Sequence, residues 1–155
     1  MPFLGEKLEK PEFKFSGEYI GGHKLYPKKR DLDILVYDDR IFITKLNLDI
    51  PFTSIKNIEN SEAERLTKTR MFLTPFFIGF SWKKKYLYTV IDYNDGIDDQ
   101  SIVFDFHRSV EKVQGTIYQK MIAARRNNLE QIKSIETTDV SKSLSYNNSL
   151  DLLHN

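Results

Sequence analysis

The sequence predicts a mainly β fold (α+β by count): an antiparallel strand meander over residues 12–106, then one amphipathic helix over 109–126. Three observations point there. Residues 12–106 break into short runs of aromatic and β-branched side chains separated by turn residues. No helical period interrupts them, so successive strands lack the chain for parallel crossovers. After residue 106 the apolar spacing changes from two to three and four.

The elements follow in order. Phe13 and Phe15 alternate with Glu12 and Lys14, and Tyr19-Ile20 extend that run until Gly21-Gly22 break it. Leu32–Tyr37 and Ile41-Phe42-Ile43 flank Asp38-Asp39-Arg40, which predicts a tight hairpin. Leu48-Asp49-Ile50 and Ile55–Ile58 are short strands around Pro51. Residues 86–93 and 101–106 form a last pair, joined by Asn94-Asp95-Gly96, where glycine takes a positive φ at no steric cost. Val110, Val113, Ile117, Met121 and Ala124 then fall on one helical stripe. Ser109 suits the cap, Glu111 the positive end, and Arg125 with Arg126 the negative end. Gly115 inside this helix costs about 1 kcal/mol against alanine, which predicts close packing there. The expected organisation is a flexible segment over 1–11, one domain over 12–126, and a tail over 127–155. Leu129, Ile132 and Ile135 carry a weaker helical stripe in that tail, and its Ser/Thr/Asn-rich end predicts disorder from Thr137 onward.

Composition excludes several classes. The 155 residues hold 23 basic and 22 acidic side chains, so no global charge favours a nucleic-acid partner. Cysteine is absent, which removes disulfides, thiolate metal sites and cysteine nucleophiles, and fits a reducing cytosol. The first ten residues are of mixed charge and lack the apolar run of a signal peptide. The most apolar window, Met71 to Trp82, contains a proline and a glycine and falls well short of the ~20 residues a spanning helix needs.

Three segments resemble a known family. Gly21-Gly22-His23, Tyr26–Asp31 and Val36–Ile41 are similar to the opening strands of prokaryotic pleckstrin-homology-like (PH-like) and GRAM-like domains. Ile50–Glu59 resembles the lead into their next strand, and Val103–Phe106 with the following helix resembles their ending. The resemblance covers residues 12–126. It implies an antiparallel barrel or sandwich of about seven strands, with the helix covering one open end and burying Val110, Val113, Ile117 and Met121. It also implies a non-catalytic binding module without a cofactor.

Two constellations fit such a module. Lys24, Lys28, Lys29 and Arg30 sit between the first two strands, and Lys24, Lys28 and Arg30 match the spacing by which PH domains hold phosphorylated headgroups. Arginine can fork two phosphate oxygens while lysine supplies a movable charge. The plainer reading is a solvated basic loop, partly neutralised by Asp31 and Asp33. The second constellation is the apolar 71–82 segment, with Phe72, Phe76, Phe77 and Trp82, between Lys68 and Arg70 before it and Lys83, Lys84 and Lys85 after it. Aromatics between cations suit an interfacial anchor; apolar runs in small β folds also serve as core or as a subunit contact. The expected partner is an anionic lipid surface, reached from the cytoplasm at the inner face of the cell membrane. The alternatives are a protein partner docking on a sheet edge or on 71–82, a homo-oligomer, and an enzyme whose site assembles only in three dimensions.

Nothing in the sequence supports metal or catalytic chemistry outright. Asp92–Asp99 has glycine at the wrong place for a calcium loop and Val103 where a bidentate glutamate belongs. His23, His107 and His154 lack metal-ligand spacing, and no nucleophile elbow or phosphate loop occurs.

Overall fold

The computed structural model describes residues 9–62, 65–66 and 87–151. Among them are seven strands: β1 (Phe13–Gly21), β2 (Arg30–Val36), β3 (Arg40–Ile43), β4 (Leu48–Pro51), β5 (Ile55–Glu62), β6 (Leu87–Asn94) and β7 (Asp99–Asp105). One helix, α1 (Val110–Asp151), follows. Every strand pairing is antiparallel, and the spatial order is β4-β3-β2-β1-β7-β6-β5. The meander and the single C-terminal helix therefore stand as the residue pattern predicted. The sheet is not closed: no ladder among the described residues joins its edge strands β4 and β5. They are consecutive in the chain, linked by a one-turn 3-10 segment at Phe52–Ser54 whose Phe52 is buried.

Alternation explains the inner face. Leu32, Ile34 and Val36 of β2 point inward with Ile41 and Ile43 of β3 and Ile50 of β4. The Asp38-Asp39 turn closes through Tyr37 N–H to the Arg40 carbonyl at 2.9 Å. The next turn has Lys45 and Asn47 at left-handed φ values of 59° and 49°, on either side of buried Leu46. Strand β1 is the hinge of the sheet. It pairs with β2 through residues 13–19 and with β7 through 18–21, with a register shift after Tyr19. A second apolar cluster, Ile20, Leu66, Tyr88, Val90 and Val103, occupies the opposite face of β6 and β7. Strand β6 is thus buried on both faces from Tyr88 to Ile91.

The first turns of α1 pack on the sheet. Val110, Val113, Ile117 and Met121 are all buried, as the stripe predicts. Asn60 of β5 fixes one end, donating to Gln114 Oε1 at 2.9 Å and accepting from the buried Thr89 hydroxyl at 3.0 Å. Lys120 fixes the other, 2.8 Å from Glu12 and 3.0 Å from Asp38 of the β2–β3 turn. Those two carboxylates hold the Lys120 ammonium pKa above its ordinary value. The expectation for Gly115 is corrected: a Cβ built there meets nothing within 4 Å. Gly115→Ala should therefore stabilise the protein by up to about 1 kcal/mol, through lower unfolded-state entropy. A urea midpoint unchanged or lowered in the variant would count against this.

The helix also outlasts the sequence pattern. It continues through Asn127-Asn128 to Asp151, where composition predicts a disordered tail from Thr137. Its hydroxyls turn inward on the helix backbone instead of competing with it: Thr137 and Thr138 donate to the carbonyls of Lys133 and Ser134, each at 2.8 Å.

Candidate functional site

Two loops meet at one end of the sheet. The first, residues 22–29, leaves β1 at Gly22, whose φ of 105° and whose lack of room for a Cβ against the Ser101 carbonyl favour glycine. The second is the β6–β7 hairpin. Asn94 Oδ1 accepts from Gly96 N–H, and Asp95 Oδ1 accepts from the N–H groups of Ile97 and Asp98. These bonds hold the Asp95 carboxyl below its ordinary pKa. The Asp95 carboxylate thus serves the turn, and no metal-holding group of side chains occurs among the described residues.

A buried aromatic cluster shapes the first loop. The Tyr19 hydroxyl donates to the Tyr26 carbonyl at 2.7 Å and accepts from His23 N–H at 3.1 Å. His23 Nδ1 accepts from Leu25 N–H at 3.1 Å, so the neutral ring carries its proton on Nε2. Its ring lies 4.9 Å from that of Tyr26 and 6.5 Å from that of Tyr93. The Tyr93 hydroxyl is buried without a hydrogen-bond partner, and burial drives its pKa well above the ordinary value.

Burial also lowers the His23 pKa, against the pull of Asp95. The folded state then refuses a proton that the unfolded chain accepts below about pH 6.5. The stabilising contribution is complete above that value and is lost as pH falls toward the folded pKa. Urea midpoints of the native sequence should fall as pH drops below about 6.5. The slope should be shallower in His23→Asn, which can keep an acceptor for Leu25. Identical slopes would contradict this account.

Of the four loop cations, three are engaged within the protein. Lys24 lies 3.1 Å from Asp98, tying the two loops together, and Lys29 lies 2.9 Å from Glu18. Arg30 donates to the Lys45 carbonyl at 3.3 Å. Lys24, Lys28 and Lys29 are exposed, and Arg30 is half-buried. Exposed pairs of this kind contribute about 0–1 kcal/mol, so an external anion can compete for the lysines. The structure adds two residues that the sequence pattern passed over. Leu25 is 77% exposed at the tip of one loop and Ile97 is 89% exposed at the tip of the other. Their sequence signal is faint: single apolar residues at Lys24-Leu25 and Gly96-Ile97-Asp98, outside any alternation. The second predicted constellation, Phe72, Phe76, Phe77, Trp82 and Lys83–Lys85 with Lys68 and Arg70, lies outside the described residues.

Two grooves complete the survey. One of about 600 Å³ lies beside the link between the edge strands, lined by Pro51, Thr53, Ser54, Lys56 and residues 93–96. The other, about 320 Å³, is lined by Ser16, Gly17, Glu18, Asp31, Asp33, Lys45 and His107. Asp105 lies 3.1 Å from His107 Nδ1, but the same carboxylate oxygen accepts the His107 backbone N–H at 2.8 Å. It secures a residue held at a left-handed φ of 51°. The Ser16 hydroxyl donates a hydrogen bond to Asp33 Oδ1 at 2.6 Å. Set against known proteins, the chain matches no family model and no curated protein.

Proposed function

We propose that the protein is a non-catalytic binding module of the PH-like kind, which attaches peripherally to an anionic lipid surface at the cytoplasmic face of a membrane. The meander order with its sheet-docked C-terminal helix supports the PH-like reading, with the open sheet as a barrel parted between β4 and β5. One observation carries the lipid reading. Leu25 and Ile97 stand exposed on two loops joined by the Lys24–Asp98 pair, beside Lys28 and Lys29. Aliphatic tips enter the acyl boundary while each neighbouring cation contributes about 1 kcal/mol near an anionic leaflet. The hairpin aspartates oppose that attraction, so adsorption is weak and salt-sensitive.

Vesicle sedimentation tests the proposal. Phosphatidylserine vesicles should pull the protein down at about 0.01 M salt, and less so at about 0.15 M, as the Debye length falls from about 30 to about 8 Å. Neutral vesicles should not. Leu25→Ser with Ile97→Ser, and separately Lys28→Glu, should each lessen binding without changing the fold. Binding abolished only by Phe76→Ser with Phe77→Ser would move the anchor to the 71–82 segment. If no vesicle binds at low salt, the lipid reading fails and a protein partner becomes the leading one.

A further inference from the structure

The second half of α1 presents an apolar stripe to solvent. Residues 125–140 are all exposed, among them Leu129 (59%), Ile132 (47%), Ile135 (61%) and Val140 (58%). The segment also contains Asn127, Asn128, Thr137 and Thr138, which are weak helix formers. A helix of such composition draws little stability from propensity and depends on packing an amphipathic face. The requirement is for a partner surface, and the seam's own charges specify which one.

Ile122, Arg125, Leu129, Ile132, Glu136 and Asp139 recur at alternating intervals of three and four, the spacing of a coiled-coil seam. Ile135 and Val140 widen its apolar part. The charges divide by position, with Arg125 at the N-terminal end of the seam and Glu136 and Asp139 at the other. A parallel pair of copies would set Arg125 against Arg125 and Glu136 against Glu136. An antiparallel pair about the Glu130–Gln131 bond instead sets Arg125 of each copy against Glu136 of the other, with Leu129 against Ile132 at the centre and Ile122 against Asp139 at the solvent-open ends. Both arrangements are two-fold, but of the two only the antiparallel one sets opposite charges together. Arg126 and Lys133 approach each other at its flank, where solvent and salt screen them.

We propose that residues 122–140 pair antiparallel with the same segment of a second copy of this chain. The pairing does not depend on lipid binding. Sedimentation equilibrium and far-UV circular dichroism of the full chain, over a wide dilution series without vesicles, test it. A monomer–dimer equilibrium is expected, with helical signal rising as dimer forms. Ile132→Asp should raise the dissociation constant at least about tenfold, whereas Gln131→Asp, on the far side of the helix, should not. Arg125→Glu should weaken the dimer, and adding Glu136→Arg should restore it. A chain monomeric throughout the series overturns the proposal, as does a dimer that Ile132→Asp leaves intact. Failure of the double charge reversal overturns the antiparallel arrangement.

Discussion

Gly22→Ala should destabilise the protein by about 3 kcal/mol or more, enough to unfold much of a domain of ordinary stability. Two costs add. At φ 105° a Cβ-bearing residue sits in a backbone region that L-amino acids rarely occupy. The Cβ would also collide with the Ser101 carbonyl oxygen, an atom of β7, the strand laddered with β6. Relief means parting β1 from β7, the pairing that joins the two halves of the sheet. His23 and its hydrogen bonds would shift with the same displacement, so the loop that carries Lys24, Leu25 and Lys28 would lose its shape. Thermal and urea unfolding of the variant give the measure. A Gly22→Ala protein with a near-native midpoint would show that this strand junction yields easily.

Most of the fold was readable because alternation and helical spacing report directly on which side chains leave water. Leu32-Ile34-Val36, Ile41-Ile43 and the Val110–Met121 stripe announce their buried faces, and each is buried. Other features depend on contacts made at long range. The turn before β4 has no glycine to mark it; Lys45 and Asn47 accept left-handed backbone because Leu46 between them reaches the core. Gly115 and Gly17 look alike in sequence. Yet a Cβ on Gly17 would lie 2.5 Å from Phe106 Cδ1, whereas one on Gly115 touches nothing. The helical continuation past Thr137 was hidden because serine, threonine and asparagine weigh against helices on average, while individual hydroxyls can bond back to the preceding turn.

The candidate site was legible as charge and illegible as geometry. Four cations between two strands are plain in the sequence, but it gives no sign that Lys24 reaches Asp98, 74 residues away, or that Lys29 reaches Glu18. Nor does it show that Leu25 and Ile97 share the end of the sheet where those loops are tied. Ion pairs and loop neighbours are set by strand order, which a local pattern does not encode.

Ile117→Ala should cost about 2–5 kcal/mol, while Leu129→Ala on the same helix should leave unfolding of the sheet within about 0.5 kcal/mol of native, measured in dilute solution. Ile117 is fully buried between Val113 and Met121, on the face clamped by Asn60 at one end and Lys120 at the other. Truncation there removes buried methyl groups and leaves a cavity that the clamped helix cannot collapse into. Leu129 lies beyond that face and is 59% exposed, so the monomer loses almost no burial with it. Parallel urea titrations, followed by near-UV and far-UV circular dichroism, separate the two effects. Equal losses in the two variants would mean that α1 stabilises the sheet along its whole length, not through its first turns alone.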